Sequence, residues 1–376
     1  MDPNVSTEQQ QPMWRALELA EGGRGLVSPN PLVGAVIVDS SGRTIGEGHH
    51  GRLGGPHAEV AAIEAARAAG EDPAGASIHV TLEPCAHHGR QPPCTDAILA
   101  AGLARVVIAS DDPSAKASGR GPGILRDGGV EVEWSDGAEA TAARLLNQPF
   151  RKHARTGRPL VTLKSALTLD GRTATGSGDS KWISGESSRH LVHLWRAEAD
   201  AVAVGIETAL ADDALLTARG VGAERQPRRI VFDSDCRLPL DSKLATTVAE
   251  APVTVIAGAG ADPARAAALA DAGVEVIVCP GDGADRVEAA LPELGRRGVT
   301  SILLEGGPTL AGAFADAGEL DELRLFYAPI VLGGAEARPL LGGGGAPRIE
   351  DADRALAVTW EPSGEDMLAR VRLREW

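Results

Sequence analysis

His57, Cys85 and Cys94 constrain the fold of this chain more than any other residues, because they are useful together only if the chain brings them to one point. The motif reads His57-Ala58-Glu59, then Pro84-Cys85, then Pro93-Cys94. It supplies two thiolates, one imidazole and a carboxylate that need not be a ligand. A catalytic zinc site requires that inventory: three protein ligands, an open fourth position and a proton carrier beside it. Two thiolates and a neutral imidazole cancel the charge of Zn2+, yet leave enough field to make water acidic near neutral pH. Residues two apart on a regular helix point to nearly opposite sides. His57 and Glu59 can therefore serve one centre only where His57 stands at the very start of a helix. The run 58–69 reads as that helix, and its N-terminus adds a positive end beside the thiolates.

His-x-Glu followed by Pro-Cys-x-x-Cys is the pattern of zinc nucleobase deaminases, with the Glu as general acid and base. Here the interval between the cysteines is longer. A structural zinc knuckle is the competing reading, with His87 or His88 closing a four-ligand site. That reading leaves Glu59 and the approach Gly54-Gly55-Pro56 without a use.

A chain of 376 residues is long enough for two domains, each with its own core. The formal net charge of −15 argues against nucleic acid as partner, which needs a basic field. With four Phe and one Tyr, a surface platform for stacking bases is not expected either. A small molecule is favoured, and if it is anionic a few placed Arg and Lys must overcome the global charge. Residues 1–12 are polar, so no signal peptide is visible, and no run approaches the roughly 20 apolar residues that cross a bilayer. Four cysteines, two of them in a ligand pattern, point to a reducing cytoplasm.

Apolar strand patterns at 32–39, 78–82, 106–109 and 130–134 alternate with helical runs at 58–69, 95–101 and 138–155, which predicts a helix-covered α/β sheet. Thr156-Gly157-Arg158-Pro159 reads as a boundary, giving domains 1–155 and 156–376. The second series has strands at 160–169, 202–205, 229–232, 253–257, 274–278, 302–304 and 323–331, with a late hairpin at 355–360 and 367–373. The glycines at 342–345 read as a flexible loop.

Gly306-Gly307-Pro308-Thr309 lies between a strand and a helix, where a phosphate can meet free N–H donors; a steric need for glycine explains it equally well. It is not G-x-G-x-x-G, so a standard Rossmann site is not supported. The segment 165–185 is rich in Gly, Ser and Thr and embeds Asp170, Lys181 and Trp182, which suits a phosphate, a ribose and a ring, or else is a long surface loop. Arg196 and Arg219 are candidate phosphate clamps or solvated charges.

Taken together, HAE at His57, TLEPC ending at Cys85, PPC ending at Cys94, TLKSALTLDG from Thr162, GDSKWI from Gly178, Thr208 with Ala211-Asp212-Asp213, and EGGPTL from Glu305 resemble the bifunctional deaminase-reductases of riboflavin biosynthesis along almost the whole chain. The resemblance implies a cytidine-deaminase-like three-layer domain followed by a dihydrofolate-reductase-like domain. The first would deaminate a 2,5-diamino-6-(5-phosphoribosylamino)pyrimidinone, and the second would reduce its ribosyl group to ribityl with NADPH. By similarity, His57, Cys85 and Cys94 hold Zn2+, Glu59 is the proton shuttle, and Asn30 contacts the pyrimidine. Ala166, Trp182, Thr208, Asp212, Ser234 and Gly307 match cofactor contacts; Ser180, Arg196, Leu216, Arg219 and Glu305 match substrate contacts. Such an enzyme is also a candidate homo-oligomer. The family usually reads Asp-Pro-Asn-Pro where this chain has Asp112-Pro113-Ser114-Ala115, so a polar substrate contact is weaker here or comes from another residue. Asp212-Asp213-Ala214 lacks the usual proline, which predicts a less rigid loop. Readings that remain beside this one are a zinc deaminase with a non-reducing binding module, a zinc-stabilised protein without activity, and a polynucleotide deaminase.

Overall fold

Side chains alternate from face to face along a strand, so the partners of consecutive strand residues reveal what covers each face of a sheet. The computed structural model describes residues 12–87, 91–115, 117 and 119–376; His88 lies outside the described residues. Contacts divide the chain into two units, residues up to Thr156 together with Trp376, and Gly157–Glu375.

In the first unit, β1 (Gly34–Val38), β2 (Thr44–His49), β3 (Ser77–Val80), β4 (Arg105–Ile108) and β5 (Glu131–Trp134) form a sheet in the order β2-β1-β3-β4-β5. β1 is antiparallel to β2 and β3, and β3, β4 and β5 are parallel. The helices are α1 (Pro12–Ala20), α2 (Ala58–Ala68), α3 (Cys94–Ala100), α4 (Arg120–Asp127), α5 (Gly137–Leu146) and α6 (Gln148–Thr156). Ala35 and Ile37 pack with Ala58, Ala62, Ile98 and Leu125 from α2, α3 and α4, while Val36 and Val38 pack with Met13, Ala16 and Ala143 from α1 and α5. Three layers result.

Two local features differ from the sequence pattern. The helix expected over 138–155 is two helices. Asn147 leaves the helical conformation at φ −108° and ψ 23°, and its amide clasps Leu32, accepting from the N–H and donating to the carbonyl, each at 2.8 Å. Strand β2 shows no apolar alternation because Gly46 and Gly48 face α2. A Cβ on Gly46 would sit 2.4 Å from the Ala62 carbonyl oxygen, and one on Gly48 2.3 Å from the Ala62 nitrogen.

The second unit holds a sheet in the order β11-β10-β9-β8-β12-β6-β13-β16-β15. Its strands are β6 (Leu160–Leu167), β8 (Ala201–Gly205), β9 (Arg228–Phe232), β10 (Val253–Gly258), β11 (Glu275–Cys279), β12 (Ser301–Leu304), β13 (Glu322–Tyr327), β15 (Ala357–Ser363) and β16 (Asp366–Arg372). From β11 to β13 all neighbours are parallel; β16 is antiparallel to β13 and to β15. A separate pair joins β7 (Arg172–Ala174) to β14 (Arg338–Pro339). The helices are α7 (Glu186–Glu198), α8 (Ile206–Asp212), α9 (Lys243–Thr246), α10 (Pro263–Asp271), α11 (Gly283–Arg296) and α12 (Pro308–Asp316). Val202 and Val204 pack with Val192 and Trp195 of α7, whereas Ala201 and Ala203 pack on the face covered by Leu291 and Phe314 of α11 and α12.

The strand expected over 323–331 stops at Tyr327, ahead of Pro329, which has no N–H to continue a ladder. The glycines at 342–345 do not hang free: the Asp316 carboxylate accepts from the Gly344 N–H at 2.8 Å and the Gly345 N–H at 3.3 Å. Among the described residues no helix is long and apolar enough to cross a membrane.

Because α2 starts directly after His57, the first residue expected to bind metal, its seat on β2 is open to direct test. Gly48→Ala is expected to destabilise the protein by about 1–3 kcal/mol, the range of an overpacked contact, and to reduce the zinc retained after dialysis. An unchanged denaturation midpoint would mean that α2 has room to spare.

Candidate functional site

The first cluster is built at two helix starts. His57 is the N-cap of α2, in extended conformation (φ −74°, ψ 161°), so its ring leaves the helix while Glu59 in the first turn is buried. Cys94 opens α3 behind Pro93, and Cys85 comes from the loop after β3. His57 Nδ1 lies 3.2 Å from Cys94 Sγ and 3.6 Å from Cys85 Sγ, and the sulfurs are 3.4 Å apart. The edges of a zinc tetrahedron with ordinary Zn–N and Zn–S bonds are roughly 3.5–3.8 Å. One N and two S donors in this triangle therefore fit zinc, and His87 does not join them among the described residues.

The hydrogen bond from Cys94, outweighing burial and helped by His57, pulls the Cys85 thiol down to about 4, while Cys94 is pushed up by the same bond. The pair thus presents one thiolate, with a proton that a cation displaces. Burial first, and the Cys85 charge second, push the Glu59 carboxyl up to about 7. A carboxyl in that range both holds and releases a proton near neutrality.

His50 is a member of this cluster that sequence reasoning missed. Its Nδ1 lies 2.9 Å from the Pro56 carbonyl oxygen and donates to it, so the bare Nε2 accepts from Asn30 Nδ2 at 3.1 Å. The His50 ring stands edge-on to His57 at 5.4 Å. Asn30 therefore reaches the metal centre through His50. At the departure point 112–115, the Ser114 N–H donates to Asp112 Oδ1 at 2.8 Å, which closes a turn.

The second cluster lies at the carboxyl ends of the parallel strands, where open α/β sheets hold their ligands. Arg196 of α7 grips Glu305 with two parallel bonds, Nε to Oε1 at 2.6 Å and Nη2 to Oε2 at 2.9 Å. Lys164 Nζ of β6, another residue missed in the sequence, approaches Glu305 Oε2 at 3.9 Å. Burial opposes the Glu305 charge, but Arg196 and Lys164 win and hold its carboxyl below the usual range. Burial lowers the Lys164 ammonium against the pull of Glu305. Arg196 is thus a largely buried partner of Glu305 rather than a solvated surface charge. Arg219 is more open: its Nη1 donates to Thr217 Oγ1 at 3.0 Å, and its backbone N–H lies 3.2 Å from His193 Nδ1. Leu216 is buried with φ 54°.

The remaining residues fall in smaller groups. Thr208, in the first turn of α8, meets Gly307, the N-cap of α12: a Cβ there would lie 3.5 Å from Thr208 Oγ1. Asp212 Oδ1 pairs with Lys181 Nζ at 3.1 Å, and Trp182, 73% exposed, stacks one face on Arg189 at 4.8 Å. Ala166 sits on β6 opposite Phe326, Ser180 is in the exposed loop before Trp182, and Ser234 follows β9. The loop without its usual proline is anchored instead of loose. Asp213 takes the left-handed region at φ 40°, and its carboxylate accepts from the Lys243 N–H at 2.9 Å and pairs with Nζ at 3.4 Å.

Residues 6–110 match the family model of the cytidine and deoxycytidylate deaminase zinc-binding region, and residues 159–368 match that of the RibD C-terminal domain. The chain is 42% identical over 358 residues to riboflavin biosynthesis protein RibD of Actinobacillus pleuropneumoniae, spanning 95% of this chain and 93% of that protein. Its identity to RibD of Escherichia coli K12 is 41%, over 90% and 92% of the two chains. A solved structure from Thermotoga maritima, a diaminohydroxyphosphoribosylaminopyrimidine deaminase/5-amino-6-(5-phosphoribosylamino)uracil reductase, superposes with a TM-score of 0.84 at 37% identity, covering 97% of this chain and 98% of that one.

Removing the Glu305 charge strands Arg196 and Lys164 beside each other. Glu305→Gln is expected to cost about 3–5 kcal/mol in chemical denaturation at pH 7, as for other broken buried pairs. The folded pKa of Glu305 is depressed, so its contribution is full above the ordinary value of 4.5 and is lost as pH falls through the lower folded value. The stability gap between wild type and variant should therefore narrow on acidification below that value; a gap that stays constant would rule out an ionic origin.

Proposed function

The chain belongs to the RibD family, and on that premise we propose that it catalyses two consecutive steps of riboflavin biosynthesis. The first is hydrolytic deamination of 2,5-diamino-6-(5-phosphoribosylamino)pyrimidin-4-one, and the second is reduction of the ribosyl to a ribityl side chain with NADPH. The observation that carries this reading is the triangle of His57, Cys85 and Cys94 with the buried Glu59 beside it. We assign residues 1–155 to the cytidine-deaminase-like domain and 156–376 to the dihydrofolate-reductase-like domain, a division supported by the turn at Thr156-Gly157.

In the first domain His57, Cys85 and Cys94 hold the zinc, which supplies a Lewis acid able to make water nucleophilic at neutral pH. Glu59 would carry a proton from the attacking water to the ring amine, so that the water oxygen bonds to the ring carbon as the C–N bond breaks and the amine leaves as ammonia. Asn30 orients the pyrimidine, with its amide fixed by His50. In the second domain NADPH supplies the hydride. Ala166, Trp182, Thr208, Asp212, Ser234 and the Gly307 turn contact the cofactor, and Ser180, Arg196, Leu216, Arg219 and Glu305 contact the substrate. Arg219, the more open guanidinium, takes the substrate phosphate, and Arg196 holds Glu305 in position. With NADPH bound, the ring-opened sugar would be reduced at its imine carbon, the accompanying proton reaching nitrogen from solvent.

We also place the enzyme in the cytoplasm, a reading supported by four free cysteines of which two are metal ligands. Self-association into a homo-oligomer is supported by β15, an edge strand that exposes Val358 and Trp360.

The test is NADPH oxidation by purified protein given the diaminopyrimidine ribosyl phosphate. Glu59→Gln should lower that rate at least about 100-fold, abolish ammonia release in step, and leave oxidation with the already deaminated substrate intact. No oxidation by the zinc-loaded wild type on either substrate would overturn the reductase assignment, and no ammonia release would overturn the deaminase assignment.

A further inference from the structure

Arg286 is a cation held by neutral oxygens in a chain of formal net charge −15. It lies in the first turn of α11 and reaches back over the carboxyl ends of β9 and β10. One Nη donates to Ser234 Oγ, and the other to the Gly281 carbonyl at 2.5 Å. Gly258, the last residue of β10, makes the space: a Cβ there would lie 2.8 Å from Arg286 Nη2 and 3.2 Å from the Ser234 carbonyl oxygen. Among the described residues no carboxylate forms an ion pair with Arg286, and its Nε is buried without a hydrogen-bond partner. The neighbouring Asp282 and Asp285 are exposed.

Position in the sheet gives this cation its meaning. Lys164 and Glu305 lie on β6 and just past β12, the glycine helix starts Gly205 and Gly307 follow β8 and β12, and Ser234 follows β9. A dinucleotide laid along these ends, with its nicotinamide at Glu305 and its pyrophosphate at the glycine turns, carries its adenosine toward β9 and β10. Four strand intervals separate β6 from β10, roughly 19 Å.

We propose that Arg286, together with Ser234, receives the phosphate on the adenosine ribose of NADPH and so selects NADPH over NADH. The proposal rests on the reading of Ser234 as a cofactor contact and adds the residue that discriminates. A guanidinium matches phosphate with two parallel N–H donors, and with only neutral partners it binds an anion without displacing a carboxylate. Ser234 accepts from Arg286 and therefore keeps its own hydroxyl hydrogen for a phosphate oxygen. NADH offers a ribose hydroxyl at that place and leaves the guanidinium charge unneutralised.

Titration calorimetry on the full-length zinc-loaded chain tests this with four probes: NADP+, NAD+, adenosine 2′,5′-bisphosphate and ADP. Arg286→Gln should weaken NADP+ and the 2′,5′-bisphosphate by roughly tenfold to a hundredfold, leave NAD+ and ADP within about threefold, and Arg286→Lys should recover part of the loss. Equal weakening of all four probes, or of none, overturns the proposal. If circular dichroism shows Arg286→Gln unfolded, Ser234→Ala must weaken NADP+ more than NAD+, and an equal effect again overturns it. A wild type that binds neither dinucleotide refutes the cofactor reading itself. One that binds NADP+ and NAD+ equally refutes only the selecting role of Arg286.

Discussion

Helix α2 rests on two glycines of strand β2. Gly46 and Gly48 of β2 let the helix backbone near Ala62 approach to a distance that a single methyl would forbid. Everything in the deaminase centre is referred to that seat. It fixes the N-terminus of α2, which sets His57 at the N-cap and Glu59 in the first turn, and it brings His50, just past the end of the same strand, edge-on to His57. Cys94 is positioned in the same way at the start of α3, which packs beside α2 in the same core. Two helix starts thus aim their positive ends at the place where thiolates and a dication must coexist.

The reductase unit handles charge differently. The Arg196 and Glu305 side chains are 12% and 9% exposed, and Lys164 closes the group, so the charge on Glu305 depends on both cations. Around that group, loops are tied by backbone oxygens. Arg229, wholly buried, donates to the carbonyls of Leu215, Thr247 and Ala251 and to Thr247 Oγ1. It thereby holds the segment that carries Leu216 and Arg219. A guanidinium satisfied by carbonyls keeps its full charge but adds rigidity where a proline is lacking, as Asp213 with Lys243 does a few residues earlier.

The legible parts of the sequence were those whose chemistry is local. His57, Glu59, Cys85 and Cys94 announce themselves by residue type, and buried strands such as 253–257 by continuous apolar runs. What stayed hidden depends on a partner far along the chain. Strand β2 was invisible because its glycines answer to α2, not to strand propensity, and His50 was lost with it. The helix 138–155 read as continuous because nothing near Asn147 reveals that its amide binds Leu32. Lys164 stands in the expected strand 160–169, and nothing in that strand's sequence reveals that Glu305 comes beside it. Arg196 was ambiguous for the same reason, since a helix sequence alone does not say which face meets the buried acid.

An acidic protein that binds phosphorylated ligands has to separate its global charge from its local field. At physiological salt, charges more than about 8 Å away are largely screened, so the formal −15 governs solubility more than binding. What a phosphate meets is the nearest cation and whether that cation is already neutralised. Arg196 is spent on Glu305, whereas Arg219 is held by a threonine hydroxyl and Arg286 by a serine hydroxyl and a carbonyl. Hydrogen bonds to neutral oxygens orient a guanidinium without cancelling it. The same residue type is therefore a counter-ion where its partner is a carboxylate and stays available to an anion where its partners are neutral oxygens.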